Sequence, residues 1–135
     1  MESSAAIQRV LEDRSDVGLA YLFGSAARGE ECTSSDLDVA VLFTRVPEGR
    51  DLDRLATELQ AAAHRRIDLV ILNTAPPLLA HEVTATGRLL VCRDEDERVR
   101  FETRAIARYL DTAHLRRVQH TYLRERAKAH RARSS

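Results

Sequence analysis

Apolar residues along this chain change their spacing several times, and each change marks an element. Ala6, Ile7, Val10 and Leu11 recur at helical spacing, predicting a short amphipathic helix from Ser3 to about Arg14. Val17–Phe23 is a compact apolar run that ends in Gly24-Ser25, the pattern of a buried strand entering a tight turn. Residues 26–35 are small, polar and charged, hence loop or a short helical turn. Leu37–Phe43 reads as a second strand, closed by the turn sequence Val46-Pro47-Glu48-Gly49. Leu52, Leu55, Ala56, Leu59, Ala62 and Ala63 share one helical face, predicting a helix over Asp51–Arg66. Ile67–Leu72 is a third strand. Pro76-Pro77 opens another helix and Gly87 ends it. Leu89–Cys92 is a short fourth strand. Asp94 and Glu97 resemble a capping box, with Asp in place of Ser or Thr, at the head of a long helix reaching at least Leu110. No internal repeat or low-complexity tract interrupts the series.

This order predicts an α/β domain with a small mixed β-sheet flanked by helices. The short link between the first two strands suits antiparallel pairing, and the helix over Asp51–Arg66 is long enough for a parallel crossover. A length of 135 residues fits one domain with a core of its own. Apolar residues make up 44% of the chain but aromatics only 4%, with no Trp, so the core is expected to be aliphatic. Cys32 and Cys92 belong to no CxxC or Cys/His cluster, which argues against a disulfide scaffold or structural zinc. The polar, amphipathic start lacks an apolar leader core and no later run approaches membrane-spanning length. A cytoplasmic protein without membrane contact is the expectation.

The charge balance, 21 basic against 21 acidic residues, argues against a general nucleic-acid coat but hides a local asymmetry. From residue 112 onward Arg116, Arg117, Arg124, Arg126, Lys128, Arg131 and Arg133 face the single acid Glu125. The chain therefore divides into a domain over residues 1–111 and a basic helical extension or tail over 112–135. That end reads equally as a solvated or disordered terminus or as a contact surface, the latter divided between an acidic partner surface and RNA, with direct RNA contact not favoured.

The chemistry concentrates in two stretches. Asp36 and Asp38 lie two apart at the opening of the second strand, so both side chains fall on one face, roughly 6.5–7 Å apart. Two carboxylates on one face of an apolar strand repel and resist burial unless a cation sits between them, and hard, oxygen-seeking Mg²⁺ suits that position. Asp68, near the start of the third strand, joins them if that strand lies beside the second. Paired with Arg65 or Arg66 instead, it would be an ordinary strand-start carboxylate. Three convergent carboxylates suit a two-metal site. Gly24-Ser25 offers a turn where phosphate approaches backbone N–H groups closely. Arg28 would present a guanidinium fork to phosphate, or sit on the surface. Ser35 would cap its own turn or touch substrate.

Together, Gly24-Ser25-x-Ala27-Arg28-Gly29, five residues, then Ser35-Asp36-x-Asp38 resemble the signature of the polymerase-β-like nucleotidyltransferase superfamily, most closely its minimal, stand-alone branch. The resemblance covers about Val17 to Cys92, including the Pro76-Pro77-Leu78-Leu79 helix start. Val39 stands where the family often has Leu. The resemblance implies the polymerase-β-like fold, with Asp36 and Asp38 ligating two Mg²⁺ ions brought with the bound NTP. It implies Asp68 on the hydroxyl-activating metal, and Gly24 and Ser25 on the triphosphate. Stand-alone members resemble antitoxins of two-gene modules whose toxin is a HEPN-type ribonuclease, which they AMPylate on tyrosine with ATP. The implied partner is therefore a HEPN-type toxin. Two alternatives are a small-molecule, aminoglycoside-type nucleotidyltransferase and a non-enzymatic antitoxin that binds its toxin directly.

Overall fold

A run such as Val17–Phe23 has no polar face to offer solvent, and the strand it forms, β1 (Val17–Phe23), is buried at every residue. The computed structural model describes residues 2–24 and 36–134, its side-chain detail excluding Glu2, His114, His120, Tyr122, Leu123 and residues 125–134. Among the described residues, β1, β2 (Leu37–Phe43), β3 (Ile67–Ile71) and β4 (Arg88–Cys92) form one sheet in the order β3-β2-β1-β4. β1 pairs antiparallel with both β2 and β4, and β2 pairs parallel with β3. The sheet is mixed, as the connection lengths predict.

Two helices cover each face. On one side α1 (Glu2–Glu12) and α2 (Gly49–Ala63) close over Val17, Ala20, Leu22, Val39 and Val41 with Ile7, Leu11, Leu55 and Leu59. On the other side α3 (Pro77–Thr86) and the first part of α4 (Glu95–Ser134) cover Leu19, Tyr21, Phe23 and Ala40 with Ala80, Val83 and Ala105. Tyr21 and Phe43 are core residues, each 2% exposed. Tyr21 keeps its polar end satisfied: its hydroxyl donates to Glu102 Oε1 at 2.8 Å, and burial is the main cause that pushes its ionisation well above the ordinary tyrosine range.

The helix ends show where spacing alone misplaces a boundary. α2 begins at Gly49, because Glu48 is extended (φ −67°, ψ 160°) and leads straight into the first turn. It stops at Ala63 because His64 turns left-handed, with φ 56°, and donates its N–H to Gln60 O at 2.9 Å. The helix is thus shorter at its end than the expected Arg66, and Arg65 and Arg66 become the link to β3. Gly87 does end α3, but with φ −75°. What it supplies there is space: a Cβ would stand 2.3 Å from the Val83 carbonyl oxygen. At the head of α4, Asp94 Oδ1 accepts the Asp96 N–H at 2.9 Å. Glu97 does not close the capping box. It lies against Gly18, where a Cβ would be 3.1 Å from its Oε1. α4 then continues without a break through residue 112 to Ser134, 40 residues in all, or about 60 Å.

One long-range latch ties the layers together. The Arg93 guanidinium, just beyond β4, donates to the carbonyls of Leu11, Glu12 and Arg14 at the end of α1 and to Val17 O at 3.1 Å. A cation there satisfies carbonyls that the last helical turn leaves open and complements the helix dipole. Replacing Arg93 with Met should lower stability by about 1–3 kcal/mol, the range for losing charge-assisted hydrogen bonds. A urea titration of wild type and variant checks this, with a reduced midpoint and an unchanged slope expected.

Candidate functional site

Strand parity sorts β2 into two sets. Leu37, Val39, Val41 and Phe43 pack toward α1 and α2, whereas Asp38, Ala40 and Leu42 alternate toward α3 and α4. Asp36, immediately before the strand, shares the parity of Asp38. On β3, Ile67, Leu69 and Ile71 join the first set, which sends Asp68 to the same side as Asp38. All three carboxylates therefore belong to one face, at the starting ends of two parallel strands.

Register brings them side by side. Asp38 is the direct partner of Asp68 across the β2–β3 pair, and Leu37 N–H donates to Arg66 O at 3.0 Å, which pins this end of the two strands. Across the other edge of β2, Asp38 faces Phe23, the last residue of β1. The chain then turns at Gly24 with φ +77°, and a Cβ on Gly24 would stand 2.3 Å from Asp38 Oδ2. Glycine is required here twice over, for the left-handed backbone and for the closeness of the carboxylate. The turn backbone and the second aspartate of the pair thus occupy one spot.

Asp38 is half-buried, while Asp36 and Asp68 are exposed. Burial raises the Asp38 pKa above the ordinary carboxylate value, and the negative charges of Asp68, Asp36 and Glu82 raise it further. Asp68 lies exposed near the start of β3, shortly after Arg65 and Arg66 in the chain. Among the described residues no three carboxylate, imidazole or thiol groups converge as a ready-made metal cage. The donor set still fits Mg²⁺, which takes one or two carboxylates and fills its remaining positions with water and substrate phosphate. Asp38 and Asp68 provide such a pair with Asp36 beside them, and the charges of the other two bear directly on Asp38.

Glu82 is the participant that motif reading misses. It lies on α3, on the turn between buried Ala80 and Val83, and its charge acts on Asp38 from across the face. A signal for it exists in the helix phase: Pro76-Pro77 sets the start of α3, Leu79 and Val83 face the sheet, and Glu82 borders that face. Ser25, Arg28 and Ser35 lie outside the described residues. Asp51 is a helix-start charge, 3.9 Å from exposed Arg54. His81 stacks on Tyr109 at 3.8 Å, with the Arg116 guanidinium 4.0 Å from the centre of the Tyr109 ring, an arrangement that joins α3 to α4.

Known proteins share this architecture. The chain is 31% identical over 117 residues to the protein adenylyltransferase MntA of Shewanella oneidensis, covering 86% of this chain and 84% of that one. A chain in the crystal structure of a toxin–antitoxin with AMP-PNP superposes with a TM-score of 0.75 at 28% identity, covering 90% of this chain and 96% of its own. A chain in the complex of tri-AMPylated Shewanella oneidensis HEPN toxin with MNT antitoxin gives 0.69 at 27% identity, over 91% and 94%. Residues 5–96 match the family model described as polymerase beta, nucleotidyltransferase. That match spans all four described strands and both segments bearing the aspartates, and the chain accordingly belongs to the polymerase beta nucleotidyltransferase family.

Proposed function

We propose that this protein is a protein adenylyltransferase that moves AMP from ATP to a tyrosine of a HEPN-type toxin, and so acts as the antitoxin of such a pair. The observation that carries the chemistry is the register of Asp38 beside Asp68, with the Gly24 turn held against the Asp38 carboxylate. The likeness to MntA and to an antitoxin found with an AMPylated HEPN toxin supports the acceptor.

In the reaction, an acceptor hydroxyl oxygen attacks the α-phosphorus of ATP. The new P–O bond forms as the bond to the bridging oxygen breaks, and pyrophosphate leaves. Bound Mg²⁺ would supply charge neutralisation of the triphosphate and acidify the acceptor hydroxyl. Asp36 and Asp38 would hold the ions, and Asp68 would hold the hydroxyl-side ion and accept the proton. Gly24 and Ser25 would lay backbone N–H groups along the β- and γ-phosphates, and Arg28 and Ser35 would add a guanidinium and a hydroxyl toward the bound nucleotide. Positioning and preorganised charge carry most of such catalysis.

Asp38 separates stability from function. Its folded pKa is raised, so its protonated form favours folding: the contribution is fully present below the unfolded carboxylate pKa and is lost as pH rises through the folded value. At neutral pH without metal, charged Asp38 is a cost. Asp38→Asn should therefore melt higher than wild type in metal-free buffer, with the gap closing as pH falls toward the acid range. The same variant should lose at least about a hundredfold in nucleotide transfer. A pH series of melting curves and a labelled-ATP transfer assay test both halves; full activity would remove Asp38 from the site.

Gly24→Ala makes a steric case. The added methyl meets the Asp38 carboxylate and forces a left-handed alanine, a strain of about 1–2 kcal/mol. Calorimetric titration with a non-hydrolysable ATP analogue should show weaker binding than wild type, while the fold persists by circular dichroism.

The acceptor is tested by coexpressing a HEPN-type partner with wild-type protein or Asp36→Asn and weighing the intact partner. AMP additions are expected with wild type only. A partner left unmodified but equally neutralised by both versions would favour direct binding, and AMP on an added aminoglycoside instead would favour small-molecule transfer.

A further inference from the structure

The face that carries the carboxylates has a second feature at its other end. About 13 Å along β2 from Asp38, at four residues' distance, Leu42 and Leu72 form the floor of a cavity of about 410 Å³ under α4. Phe101, half-buried, borders it, and Arg100, Arg104 and Arg108 line its outer rim. Spaced four apart on a helix, these arginines form a row with a step of about 6 Å.

Their charge is uncompensated. The neighbouring Arg98 takes Glu95 and Glu102 on either side, the latter at 2.9 Å. None of the side chains of Arg100, Arg104 and Arg108 forms an ion pair or hydrogen bond among the described residues. The one acid on the lining, Glu97, is at the Gly18 end, and Asn73 is engaged by the Phe43 N–H and C=O at 2.9 and 2.8 Å. The wider helix continues the trend: α4 holds eleven basic residues against six acids in a chain whose total is neutral.

We propose that this groove binds single-stranded RNA, apart from the nucleotidyl-transfer site. The arginine step is of the order of the distance between successive phosphates in an extended strand, and the aromatic edge with an apolar floor accepts an unstacked base. Phe101 packs on the core with part of its ring and lines the cavity with the rest, and it is the regular arginine step beside it that favours a chain of phosphates over an acidic peptide. The proposal is independent of the AMP acceptor.

Fluorescence anisotropy with labelled oligouridylate tests it, over a range of salt. Wild type should bind. The triple variant Arg100→Gln, Arg104→Gln, Arg108→Gln should bind about tenfold or more weakly, and its slope of log affinity against log salt should shrink by about 2, for three lost phosphate contacts. Neutralising Arg124, Arg126 and Lys128 together should cost less. Phe101→Leu should weaken binding about five- to tenfold at an unchanged salt slope, and Phe101→Tyr should retain it. Melting curves confirm that each variant is folded. The proposal is overturned by a wild type that does not bind at low salt, or by affinity that follows the 124–128 cluster and ignores the row. It is also overturned if oligoglutamate competes as well as oligouridylate and Phe101→Leu has no effect, which would assign the groove to an acidic protein segment.

Discussion

Everything at the candidate site depends on a like-charge pairing that a stable fold has no reason to seek. Asp38 and Asp68 sit directly opposite in a parallel register, where side-by-side carboxylates are unfavourable. That register is not a local choice: α2 fixes how far the chain travels between the two strands, and the Leu37–Arg66 and Phe43–Asn73 hydrogen bonds hold the pair at both ends. A shift by one residue would turn Asp38 into the aliphatic layer under α1 and α2 and expose Val39 in its place. The buried set Leu37, Val39, Val41 and Phe43 forbids this. Core packing thus enforces the repulsion, and under the proposed function a cation with substrate phosphate would relieve it.

The same geometry ties Gly24 to Asp38 and not merely to a turn. β1 delivers its last residue against Asp38, and the backbone must then leave at once in a left-handed bend or collide with the carboxylate. A glycine pressed on Asp38 puts peptide backbone beside the carboxylate without an intervening side chain, the arrangement the proposed phosphate binding would use. Glu82 adds negative charge from α3, so the site is fenced by acid on the helical side as well.

Much of this was legible in the residues because it is local. Alternation in Leu37–Phe43 and the uninterrupted run Val17–Phe23 announce their strands, and the Gly24-Ser25 and Asp36-x-Asp38 spacing carries the family. What the linear pattern withholds is mostly tertiary. Arg93 reads as an ordinary charged residue after β4, yet it closes the end of α1, because four carbonyls from two elements meet there only in the folded state. The end of α2 is misread by three residues since a left-handed His64 carries no apolar-period signal. Gly87 is correctly placed as a helix terminator for a reason other than backbone freedom: it is the only residue that fits against the Val83 carbonyl.

The two ends of one sheet face carry opposite charge, and the separation has a physical use. At the starting ends of β2 and β3 lie Asp36, Asp38, Asp68 and, from α3, Glu82; toward the finishing end α4 lays down Arg100, Arg104 and Arg108. Bringing those arginines next to the aspartates would neutralise the carboxylates internally. Keeping them toward the other end of β2, about 13 Å along the strand and beyond the Debye length of about 8 Å at physiological salt, leaves the acidic end able to attract cations. It also leaves the basic rim able to recruit anions. α4 makes this arrangement rigid, since one continuous helix packs on the sheet through Phe101 and Ala105 and holds the arginine row on the flank of that contact. A single helix therefore closes the core on one surface and sets the long-range charge pattern with another.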